Sequence, residues 1–183
     1  MDLAAAAVAD TRHWLERAVI GLNLCPFAKA VLVKQQVHFA VSEATDAGDV
    51  LRDFARELDA LLAHDAQERD TTLLVLPRGF GEFLGFLDLT ARAERLVRKQ
   101  RLEGIVQVAS FHPRFVFAGV DEADITNHTN RAPYPTLHLL REASMDRAVA
   151  AFPNAAAIYE NNMETLRRLG HGGWDALGVG ASA

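Results

Sequence analysis

Three short runs rich in apolar and β-branched residues, Val31–Val41, Thr71–Leu76 and Ile105–Phe111, are separated by two stretches whose apolar residues recur every three or four positions. This alternation constrains the fold most. A helix between two strands carries the chain back to the edge it left, so the order predicts parallel strands joined by right-handed crossovers. The first intervening helix is expected from about Asp49 to His64, with Leu51, Phe54, Leu58, Leu61 and Leu62 on one face. The second is expected over Glu82–Arg101, with Phe83, Phe86, Leu87, Thr90, Ala93 and Val97 as its stripe. Thr71–Leu76 has almost no polar alternation and ends at Pro77, which predicts a strand buried on both faces.

The flanking segments complete the plan. Leu3–Leu24 has helical spacing and is ended by Pro26, and Thr136–Arg141 reads as a fourth strand for which an antiparallel direction is preferred. Ser144 is the expected N-cap of a short helix stopped by Pro153, and Asn154 opens a last helix through Arg168 that buries Ile158, Met163, Leu166 and Leu169 and stops at Gly170. The expected fold is an α/β domain: a small, mainly parallel four-stranded sheet with helices packed on it, a single layered sandwich. It spans residues 1–178, with Trp174 tucked against the body and 179–183 as a frayed tail.

With 183 residues, half of them hydrophobic, the chain is long enough for one full core. A net charge of −5 argues against a nucleic-acid partner. The only dense basic run, Arg92–Arg101, is interrupted by Glu94, Leu96 and Val97 and reads as a solvated helix face. No apolar stretch approaches the roughly 20 residues of a membrane span, and the N-terminus has no leader pattern, so neither membrane association nor export is expected. A single cysteine, Cys25, excludes an intramolecular disulfide and suits a reducing cytoplasm. Nothing in the residues fixes an oligomeric state.

The chemistry gathers between the third and fourth strands. Phe111-His112-Pro113-Arg114 opens a long polar loop that closes on Asn127-His128-Thr129-Asn130-Arg131-Ala132-Pro133-Tyr134-Pro135, more polar groups than a connection needs. Parallel strands place this loop beside Arg78-Gly79-Phe80-Gly81 at one carboxyl edge, where open α/β sheets bind ligands. Gly79 and Gly81 before a helix can present amide N–H groups to an anion, or simply make a strand-to-helix turn. His112 is extended by Pro113 and can serve as a general acid or base, or cap the strand end. Arg114 and Arg131 can clamp a carboxylate or phosphate, or pair with Asp121, Glu122 and Asp124. Tyr134, fixed between prolines, can line a pocket or pin the loop, and Asn127 and Asn130 can contact a ligand or satisfy loop backbone.

Two further chemistries stay open. His112, His128 and His138 with Asp121 and Asp124 supply metal-ligand types, although their spacing matches no ligand template, and His138 between Leu137 and Leu139 reads first as a core histidine. Cys25 is a possible nucleophile with His112 as base, a possible haem ligand through Cys25-Pro26, or an inert buried thiol. Its place at the end of the first helix puts it nominally at the edge opposite His112.

Leu24-Cys25-Pro26-Phe27-Ala28, Phe111-His112-Pro113-Arg114-Phe115 and Asn130 through Glu142 together resemble the bacterial family designated domain of unknown function 1415. The similarity runs to about Trp174. It implies a small soluble bacterial protein and marks these three segments, but it transfers no catalytic residue and names no cofactor. The expected function is an enzyme acting on a small anionic metabolite, with His112 as acid/base, Arg114 and Arg131 as clamps, Asn130 and Tyr134 lining the site, and Arg78–Gly81 as cradle. The alternatives are a non-catalytic ligand-binding or protein-interaction domain and a His/Asp metal-binding protein.

Overall fold

The computed structural model describes residues 2–152, 154 and 157–182. Its strands β1 (Val37–Val41), β2 (Thr71–Val75), β3 (Val106–Phe111) and β4 (Thr136–Arg141) form one sheet in the order β1-β2-β4-β3. β1 and β2 are parallel, whereas β4 is antiparallel to both β2 and β3. The sheet is therefore mixed, which corrects the mainly parallel expectation. β2 and β3 do point the same way, as a crossover helix requires, but β4 enters between them and takes the hydrogen bonds of both, making a split strand-helix-strand unit. Alternation in sequence sets which face a side chain occupies; it does not set which strands become neighbours.

Helices α3 (Ala47–Ala63) and α4 (Phe83–Lys99) cover one face. Asp46 caps α3 by accepting from the Asp49 N–H at 3.0 Å. Their Val50, Phe54, Leu58, Leu61, Phe86 and Leu89 pack against Leu74, Leu76, Leu137 and Leu139 in one continuous core. Leu89 occupies the inward position of α4, and Leu87, expected there, is exposed.

The opposite face differs from expectation at its start. α1 (Leu3–Trp14) runs into a π-helical segment, Leu15–Ile20, and the helix stops there rather than at Leu24. The wider turn lets the Leu24 N–H reach the Val19 carbonyl at 2.8 Å. Residues 31–33, expected in a strand, lie in α2 (Ala28–Val33), so the strand begins only at Val37. The local β preference of Val31 and Val33 is overridden because the helix lets Ala28 and Leu32 pack near Leu73 and Phe39, while Val33 itself stays exposed.

α5 (Glu142–Ala151) follows β4 with almost no loop, two residues ahead of Ser144. Pro153, residues 155–156 and the final residue lie outside the described residues. α6 (Ile158–Asp175) docks through Leu166 on Leu24 and Ile125, the latter in a 3₁₀ segment, Ile125–Asn130. The helix breaks at Gly170, whose φ of 68° ends the regular turn, and helical geometry resumes beyond it. Trp174 packs against Leu24 and Trp14 neighbours, and the tail expected to fray carries a buried Val179 and a Ser182 hydroxyl hydrogen-bonded to Asp10. Among the described residues no helix is long and apolar enough to cross a membrane.

Candidate functional site

The loops after β2 and β3 meet at the carboxyl edge, through His112. Its side chain is 0% exposed and lies between the Phe83 and Phe86 rings, with centroids 5.3 and 5.1 Å away. The Arg114 N–H donates to Nδ1 at 3.0 Å, so Nε2 carries the ring proton and donates to the Phe80 carbonyl at 2.9 Å. Both nitrogens are spent. Burial pushes this imidazole below its ordinary value and favours the neutral form. Through these two contacts His112 ties the Arg78–Gly81 turn to the end of β3. Gly79 makes that turn possible, since its φ is 68° and a Cβ there would stand 3.3 Å from the Thr45 backbone.

The neighbouring polar residues are likewise engaged. Arg78 pairs with Glu43 at 3.2 Å, and Arg114 reaches Glu82 at 3.2 Å and Glu122 at 3.8 Å. Arg131 donates to the Phe115 and Glu122 carbonyls, at 3.1 and 2.8 Å. Asn130 donates to the Ser110 carbonyl, and Asn127 bridges Phe117 and Asp121 backbone. Tyr134 donates to Asp10 across the opposite face, at 2.8 Å. Arg114 and Arg131 do border one surface depression, shared with Asp121 and Glu122.

The proposed metal ligands are dispersed, and among the described residues no three His, Cys, Asp or Glu side chains are grouped to hold an ion. Asp121 and Asp124 accept from the backbone of their own loop. His128 meets Trp174 edge to face, with centroids 4.6 Å apart, and burial together with nearby Arg131 holds it down to about 4.

Cys25 and His138 come together instead, on the other face of the sheet from His112. They border a cavity of about 380 Å³ roofed by the π-helical segment, α2 and α5 and floored by the sheet. Its wall is almost entirely apolar, including Trp14, Leu15, Leu73, Phe111, Leu140 and Met145. The alternation that turns Leu137 and Leu139 into the packed core turns His138 and Leu140 toward this space. His138 Nε2 lies 2.6 Å from the Thr71 hydroxyl, which itself donates to the Leu139 carbonyl at 2.7 Å. Both contacts are satisfied only if Nε2 carries the proton. Apolar surroundings hold this imidazole neutral, at about 4. Burial also pushes the Cys25 thiol up, against the Phe27 and Ala28 amides that pull it down.

Trp14, Thr71 and Ser144 belong to the cavity and were not singled out from the sequence for it. For Thr71 the signal was the two-residue period shared by Thr71, Leu73 and Val75 with His138 and Leu140, which puts all five on one face.

The family model described as Protein of unknown function (DUF1415) matches residues 6–176. The chain belongs to that family. The matched span contains both the carboxyl-edge loops and the whole lining of the cavity. No curated protein and no solved structure matches the chain.

Proposed function

We propose that this member of the family is a binding domain for a small, mainly apolar molecule held between the sheet and helices α2 and α5. The observation that carries the reading is the cavity of about 380 Å³, within the span of ligand pockets of about 300–1,000 Å³, with an apolar wall and few polar groups. Burial of an apolar ligand supplies the affinity, at about 25 cal/mol per Å² before the costs of association. The polar groups of this wall are few: Asp70 accepts from the Ser144 hydroxyl, and His138 is held neutral by its apolar surroundings. Thermal-shift titration with toluene, indole and inorganic phosphate tests the reading. Toluene or indole should raise Tm in the native protein and lose that effect in Ala148→Trp, which fills the cavity. Stabilisation by phosphate alone would contradict it.

A second reading keeps the anion at the carboxyl edge, because Arg114 and Arg131 border the same depression. It is weakened by Asp121 and Glu122 in that depression and by the carbonyls that already occupy Arg131. The phosphate arm of the same titration, repeated on Arg114→Ala, decides it.

A further inference from the structure

We infer that the molecule held in the cavity presents one hydroxyl or N–H donor to Nδ1 of His138, so that its class is a neutral, phenol-like or indole-like compound. The inference rests on the cavity reading and narrows it.

The argument follows from where each proton of the wall is spent. The Thr71 hydroxyl is committed to the Leu139 carbonyl and accepts from Nε2 of His138. The Ser144 hydroxyl donates to Asp70 and accepts from Arg147. The Cys25 sulfur faces the Phe27 and Ala28 amides. With Nε2 protonated, Nδ1 of His138 can only accept, and among the described residues nothing donates to it. It is also not sealed in packed protein, unlike the partnerless Trp14 Nε1 and Thr129 Oγ1. It therefore stands on the cavity wall as a directed lone pair in apolar surroundings. A carboxylate or phosphate brought there would set acceptor against acceptor in apolar surroundings, whereas a hydroxyl or N–H supplies the donor that Nδ1 lacks. Because Thr71 fixes the tautomer, the site discriminates donors from isosteric non-donors without any charge.

p-Cresol and 4-fluorotoluene, close in shape and differing in the donor, are the probes, measured by calorimetry on the full chain. p-Cresol should bind about tenfold more tightly. In His138→Phe the two should bind alike, and in the native protein the ¹⁵N resonance of Nδ1 should move with p-cresol and not with 4-fluorotoluene. The resonance is read on unaltered protein, so it stands even if the variant fails to fold. Equal affinities with an unmoved Nδ1 would overturn the donor inference and leave the cavity reading intact. Failure of both probes to bind would overturn the two together.

Discussion

The two faces of this sheet are built from the same strands and finished in different ways. On β4, Leu137 and Leu139 enter a layer closed by α3 and α4, each of which contributes fully buried side chains. Their neighbours His138 and Leu140 face a space roofed partly by α2 and α5, helices with no buried residue of their own. The first face is a stability device, in which nearly every atom has a partner at contact distance. On the second, the same hydrophobic patterning borders a cavity lined by apolar side chains and His138. Hydrophobicity alone does not distinguish a packed core from a cavity wall; the supporting elements do.

The comparison is broken most severely by truncating leucines on adjacent residues of β4. Leu139→Ala should cost about 3–5 kcal/mol, because the packed face cannot collapse onto the void. Leu140→Ala, whose side chain already borders the cavity, should cost less than about 1.5 kcal/mol; urea midpoints at unchanged slope measure both. Equal costs would show that the second face is as tightly packed as the first.

Acid should attack the cavity face next. Folding holds His138 at about 4 against 6.5 for the free side chain, so the unfolded chain binds the proton first. The contribution is complete above pH 6.5 and is lost as pH falls toward 4, reaching about 3 kcal/mol for a shift of this size. His128, also held at about 4, adds a loss of the same sign. Stability measured from pH 7 to 4 should therefore fall, and His138→Phe should flatten part of that slope. A slope unchanged by the substitution would remove His138 from the account.

The carboxyl edge should respond as structure. His112→Phe leaves the Phe80 carbonyl and the Arg114 N–H without their ring partners and should cost about 1–3 kcal/mol in the same urea assay. Arg114→Ala, in a solvent-exposed ion pair, should change stability by less than about 1 kcal/mol. The contrast sharpens the view that buried His112 holds this edge more firmly than the exposed Arg114 ion pair does.

Much of this architecture was legible in the residues. The periodicities of α3 and α4, the doubly buried β2 and the bounds of β4 all follow from apolar spacing and turn chemistry, as does the meeting of the Arg78 turn with His112. Three features were not. β4 inserts between β2 and β3 because pairing depends on how the long loop returns the chain, which local pattern does not encode. Val31–Val33 is helical because its tertiary surroundings outweigh strand preference. The surroundings of His112 and His138 are the third: a histidine at a strand end looks accessible and one between leucines looks buried, yet Phe83 and Phe86 cover the first and the cavity reaches the second.

The two-face account is tested most directly by mapping toluene onto the native protein by methyl and amide NMR. Toluene should shift the signals of Val37, Leu140 and Ala148 and leave Leu58 and Leu89 in place. Shifts spread evenly over both faces, or confined to the α3 and α4 layer, would contradict it.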